Sequence, residues 1–392
     1  MKRLSLFCFL AVCLACTSAP APSTLTHWSM KREGDSRTYD VRVPTTVAGA
    51  LHEAGYFGEN LLEGLRYQDA DKSIFDSPWV FTTRFHAEKG KHHVLRFESL
   101  GYSADITLNG TLLASADTTV GVFCVREFDI TPFAKKSNTL QVRVHKAPEG
   151  SLNHGWVDWN PRPLDETMGI LGPVRLISTP DVRVQDVFVK PVLDPQDLSS
   201  SRLEVEVTLV NLSEEASEGL LRGEAEGICF EIPVSLEGAE TRVVRHSETV
   251  RNPRIWWSAE MGSPELYHMK VSYGDSHSKS VRFGIRDIRS ELTEEGHRQF
   301  ILNGKRVLVK SAGWADDIFL QDTPESILRQ VRMVKDMGLN CIRFENIWGK
   351  DDTVYDLCDS LGLLTFVGFS CQWEWDHYCG LPQTPSHGCI EG

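Results

Sequence analysis

Apolar and polar positions alternate through most of the stretch from Asp40 to about Pro180. Residues 81–85, 93–97, 104–108 and 139–144 follow this two-residue period, are rich in Val, Phe and Thr, and are separated by turn signals such as Leu108-Asn109-Gly110-Thr111. That pattern predicts short, half-buried strands. Helical periodicity is scarce there apart from residues 47–54. Residues 20–35 read as a linker leading into structure near Trp28. Strands at this spacing predict an all-β sandwich or jelly roll over 28–180. A second β block occupies 181–288, with strands at 182–189, 203–209, 227–234, 242–250 and 266–273 and loops at 191–197 and 211–218. Its strand count suits an immunoglobulin-like β-sandwich.

The period changes after Ile285. Residues 300–305 read as a hairpin and 306–310 as a strand. Thr323-Pro324-Glu325-Ser326 then opens a helix with a capping hydroxyl, Pro in the first turn and an acid beside it. Leu328, Val331, Val334 and Met337 give that helix an apolar stripe, and Gly338 ends it. A strand at 339–344, a helix at 352–361 stopped by Gly362, and a strand at 363–368 follow. This β-α-β-α-β order predicts that residues 289–392 form the start of a parallel (β/α)8 barrel, with about three strands before Gly392. The two later strands run into residues able to hold a polar ligand: Arg343, Glu345 and Asn346 after one, Gln372, Trp373, Glu374 and Trp375 after the other. Carboxyl ends of parallel strands are where such enzymes build their sites.

Composition narrows the classes. A chain of 392 residues with 41% hydrophobic and 24% charged residues is globular and multidomain. The net charge of −13 opposes a nucleic-acid partner. Met1-Lys2-Arg3 and the apolar run from Leu4 to Ala15 read as a signal peptide within residues 1–19. Ala15-Cys16 followed by Thr17-Ser18 resembles a bacterial lipoprotein box, with Cys16 as the lipidated residue, although Cys13 stands where Leu or Val is usual. The expected location is the periplasm or the outer membrane of a bacterium, with membrane contact only through that anchor. Cys341 and Cys358 fall on apolar faces and read as core thiols, whereas Cys124 and Cys229 stand alone. Cys371, Cys379 and Cys389 lie near His377 and His387 without zinc-ligand spacing, so no metal or other cofactor is expected. A Cys371–Cys379 disulfide fits an oxidising compartment better. Asn109 and Asn211 open glycosylation-type triplets, and Asn109 reads as a turn residue.

Three segments together resemble family 2 glycoside hydrolases of the β-mannosidase and exo-β-glucosaminidase branch. Val43-Pro44-Thr45-Thr46-Val47 through Phe75-Asp76-Ser77-Pro78-Trp79 is similar to the start of that family's jelly roll. Trp156-Val157-Asp158-Trp159-Asn160-Pro161-Arg162-Pro163 with Met168-Gly169-Ile170 is similar to its long exit loop, although Leu171-Gly172 replaces the usual Trp-Arg. The third segment runs from Lys310 through the two polar strand ends. The resemblance implies hydrolysis of terminal β-mannosides or β-glucosaminides by a retaining mechanism with two carboxylates. In the family those carboxylates stand on the fourth and seventh barrel strands, so no catalytic residue is expected among the 392 and the chain reads as an N-terminal portion. A non-catalytic carbohydrate-binding or vestigial protein is the alternative.

Either way the expected partner is a β-linked carbohydrate. Glu345 and Glu374 suit acid–base work by position alone, but the resemblance favours substrate positioning or structural pairing. Arg343 suits a sugar hydroxyl or an ion pair equally. Trp373 or Trp375 offers a face for a pyranose. Asp317 with Glu374 provides negative charge for an amino sugar, or else Asp317 caps a turn. Asp158 and Trp159 reach the pocket from the exit loop, or pack between domains.

Overall fold

The structure, a computed structural model, describes residues 23–122, 124–148, 161–345 and 351–368. The first unit is a jelly roll of two main antiparallel sheets. One has six strands in the spatial order Tyr39–Arg42, His27–Arg32, Trp79–His86, Ser137–His145, Ser103–Leu108 and Thr111–Ala114. The other orders Ser23–Thr24, Val174–Thr179, His92–Phe97 and Arg126–Asp129. Alternation sends Trp79, Phe81 and Phe85 inward beside Leu140, Val142 and Val144, where they meet Leu95 and Phe97. Residues expected to be a linker thus include two strands. His27–Arg32 buries Trp28 and Met30 on one face, an alternation too short to stand out in the sequence.

The one longer helix of this unit, Val47–Glu53, is capped by the Thr46 hydroxyl, which accepts from the Gly49 amide at 2.9 Å. Its Ala48 amide donates to Asp165 Oδ2 at 2.6 Å and so ties down the described end of the exit loop. Leu171 and Gly172 both donate their amides to the Ser99 carbonyl at 3.1 Å. A side chain at Gly172 would meet Glu98 and Ser99 backbone or Cβ atoms at 2.8 Å, so the Gly here goes with close packing of the loop. Asn109 takes φ of 53° in its turn, as its sequence context predicts.

The second unit is an immunoglobulin-like sandwich. Val182–Asp194, Asp197–Asn211 and Thr241–Arg251 form one sheet, and Ile228–Leu236, Ser217–Ala225, Tyr267–Tyr273 and His277–Phe283 the other. The expected loop at 191–197 is mostly strand, because pairing continues through Pro191↔Leu203 to Leu193↔Ser201. Ser217–Ala225 is a further strand whose two glycines break the apolar alternation. They are there for neighbours: a Cβ on Gly223 would strike the Phe230 ring, and one on Gly219 would lie 2.5 Å from Tyr273 Cζ. The Asn211 side chain is buried and donates to the Glu215 and Glu237 carbonyls, so that triplet is a folded turn and not a surface acceptor.

Next come a three-stranded antiparallel sheet, Ile288–Leu292, Arg298–Leu302 and Lys305–Val307, and a parallel sheet, Ser311–Trp314, Cys341–Phe344 and Leu364–Val367. The first barrel strand therefore begins at Ser311 and not in 306–310, whose first residues finish the hairpin sheet. Helix Pro324–Asp336 is capped by Thr323 as expected. Its buried face is Ile327 and Val331, with Val334 packed beside them, while Met337 is exposed; the stripe is rotated from the expected one. Helix Thr353–Leu361 ends at Gly362 with φ of 76°, and a Cβ there would sit 2.6 Å from the Ala259 amide nitrogen of the preceding unit. Cys341 and Cys358 are buried, and burial pushes the Cys358 thiol up to about 12.

Candidate functional site

Side chains of the parallel sheet divide into two faces. Ile342 and Phe344 join Trp314, Ile327, Val331 and Val354 under the helices. Cys341 points the other way, toward Trp256, Leu302 and Leu364. Arg343 and Glu345 continue the Cys341 side at the carboxyl end of their strand.

There the Arg343 guanidinium Nη2 donates to Glu345 Oε1 in a tight ion pair. Their exposures differ: the Glu345 side chain is 11% accessible and the Arg343 side chain 56%. Glu345 is also held from behind, because its amide donates to the Trp314 carbonyl at 2.9 Å, the last rung of the parallel ladder. Gly313 makes the space, since a Cβ on it would collide with Glu345 Oε1. A largely covered carboxylate with an exposed guanidinium can orient hydroxyl or ammonium groups.

Asp317 follows the first parallel strand and is used locally. Its Oδ2 accepts from the Phe319 amide at 3.3 Å and the Gln321 amide at 2.8 Å. This turn drives Phe319 into the jelly-roll core, where its ring stacks on His52 at 4.7 Å. Gln321 adds a bond from Nε2 to the Gly49 carbonyl at 2.9 Å. Of the two readings for Asp317, the geometry is that of the turn-capping one.

Asp158, Trp159, Trp373, Glu374 and Cys16 lie outside the described residues, as do Trp375, Cys371, Cys379 and Cys389. Of the expected site the structure thus brings together Arg343 and Glu345. Sequence reasoning missed Gly313, Phe319 and Asp165. Asp165 is 1% exposed, and desolvation pushes its carboxyl up to about 7 despite amide donors from Ala48 and Thr167. Tyr67 sits over the same loop, its hydroxyl donating to the Arg162 carbonyl at 3.0 Å. Acids in loops are common, so only the fold marks this one.

A jelly roll, an immunoglobulin-like sandwich and the opening strands of a parallel barrel, in that order and with a charged strand end, are the layout of a multidomain barrel enzyme. Comparison with known proteins gives the family. The model for the glycosyl hydrolase 2 galactose-binding domain-like region matches residues 28–154, and that for glycosyl hydrolases family 2 matches 182–286. The chain belongs to glycosyl hydrolase family 2. It is 30% identical over 351 residues to an exo-β-D-glucosaminidase of Streptomyces avermitilis, covering 86% of this chain and 39% of the relative. A mannosylglycoprotein endo-β-mannosidase of Lilium longiflorum is 25% identical over 89% of this chain and 41% of its own length. A solved complex of a variant Amycolatopsis orientalis exo-chitosanase, CsxA, with PNP-β-D-glucosamine superposes with a TM-score of 0.85 at 26% identity, over 91% of this chain and 44% of that one. The chain thus spans about two fifths of the length of these relatives.

Proposed function

We propose that this chain is part of a glycosidase that hydrolyses terminal β-glycosidic bonds, with β-glucosaminide preferred over β-mannoside. The observation that carries the reading is the match of the whole described architecture, at 91% coverage and a TM-score of 0.85, to a protein solved with a β-glucosamine glycoside. In this reading Arg343 and Glu345 hold the sugar, and Asp158, Trp159, Trp373 and Glu374 join them around it. The largely covered Glu345 carboxylate suits the ammonium of an amino sugar. Acid and nucleophile come from later barrel strands, and the reaction is a retaining double displacement. The charged leader and the Cys16 box support export and lipid anchoring, which metabolic labelling with a fatty acid would test: label lost in Cys16→Ser supports the anchor.

The test of activity is turnover by the native protein, captured from its source with an antibody against the jelly roll. Hydrolysis of PNP-β-D-glucosaminide faster than PNP-β-D-mannoside is expected. Turnover of neither glycoside overturns the reading.

A further inference from the structure

The outer face of the six-stranded sheet carries a depression of about 730 Å³ that the proposed reaction does not use. Its walls come from three adjacent strands, Tyr39–Arg42, His27–Arg32 and Trp79–His86. Arg42 pairs directly with His27, and continuing the Ser29↔Thr82 register places Arg84 on the other side of His27. Two guanidiniums therefore flank an imidazole in one cross-strand row. At about 4.8 Å between strands, the Arg roots stand roughly 10 Å apart, within reach of a single small group above His27. The side chains of Arg42, His27 and Arg84 are exposed, and no hydrogen bond or ion pair among the described residues engages them. Adjacent basic groups within one cross-strand row work against sheet pairing. The row also stands out on a chain of net charge −13.

The next row along the sheet differs in kind. Asp40 lies opposite Ser29, which lies opposite Thr82. These supply a carboxylate acceptor and two hydroxyls, again on the floor of the depression. A polyphosphate backbone would meet Asp40 unfavourably and would want a longer basic track. A ligand with one anionic group next to several hydroxyls fits both rows: the anion on the guanidiniums, the hydroxyls on Asp40, Ser29 and Thr82.

We propose that this sheet face is a second carbohydrate site, binding acidic saccharides through their carboxylate or sulfate groups. It is independent of the reaction assigned to the barrel and stands or falls separately from it. The site would hold the enzyme on an anionic glycan while the barrel acts on a chain end.

Affinity electrophoresis of the full chain tests the proposal, in gels containing polygalacturonate, its fully methyl-esterified form, chondroitin sulfate, neutral dextran or single-stranded DNA. Retardation by polygalacturonate or chondroitin sulfate is expected, with none by the ester or dextran; which of the two acts tells carboxylate from sulfate. The double variant Arg42→Gln/Arg84→Gln should weaken the apparent Kd at least about tenfold. Unchanged circular dichroism and melting temperature would show that these exposed changes leave the fold intact. No retardation by either acidic glycan, equal retardation of wild type and double variant, or equal binding of DNA overturns the proposal.

Discussion

Asp165 is a carboxylate enclosed by the jelly roll, held by the Ala48 and Thr167 amides with no cation on it among the described residues. Burial raises its pKa from the ordinary 3.8 to about 7, so the folded protein binds that proton more tightly than the unfolded chain does. The stability it contributes is complete below about pH 4 and is lost as pH rises through about 7. Unfolding free energies from urea melts should therefore fall across that window by about a few kcal/mol, and Asp165→Asn, which keeps an acceptor for Ala48, should flatten the fall. A wild-type midpoint that does not drop between pH 4 and 7 would contradict the burial argument. Arg343 and Glu345 make the other prediction at this scale. In the native enzyme the proposed reading, in which Glu345 binds the sugar and stays out of the bond-making, predicts that Glu345→Gln raises KM about tenfold or more while kcat changes less. Equal losses in kcat and kcat/KM would instead place it in the transition state. Arg343 and Glu345 were legible in the sequence because polar residues directly follow an apolar strand. Asp165 and Gly313 were not: each owes its role to a partner far along the chain or across the sheet.

Among the elements, the turn of residues 317–321 has the largest consequence for its size. Asp317 caps it, and Phe319 leaves the barrel to become part of the jelly-roll core at 3% exposure. Phe319→Ala should cost about 3–5 kcal/mol, and the loss should appear as early release of the jelly roll in denaturant. A loss under about 1 kcal/mol would mean the ring is not a keystone between the two units. The Gly362 cap is the counterpart on the other interface. Its left-handed conformation and the nearby Ala259 backbone predict that Gly362→Ala destabilises by at least about 1 kcal/mol, measured by thermal melting. Strands with clean alternation were legible from sequence. Ser217–Ala225 was not, since its glycines answer to the rings of Phe230 and Tyr273, and the pattern that predicts strands reads only neighbours along the chain. The first parallel strand was misplaced for a similar reason. Residues 306–310 are apolar enough for a strand, yet pairing with Cys341–Phe344 begins only at Ser311.

Across the whole molecule, the units are joined by specific contacts as well as by chain order. Trp256 of the second unit is fully buried, donates its indole N–H to the Asp359 carbonyl at 2.8 Å, and carries the Arg286 guanidinium 4.6 Å above its ring. Arg282 adds an ion pair to Asp356 at 2.5 Å on the same barrel helix. The sandwiches thereby fix where the parallel strands point, and the Arg343–Glu345 end inherits that placement. Unit order and strand character were readable from composition and period, whereas the docking of the units depends on side chains that look ordinary in sequence. The central claim is that these strand ends hold a sugar whose bond is broken by carboxylates on later strands. Trapping the native enzyme with an activated 2-deoxy-2-fluoro glycoside and sequencing the labelled peptide tests it most directly. The account predicts a label on a carboxylate that is none of residues 1–392. A label on Glu345 or Glu374, or no covalent adduct at all, would contradict it.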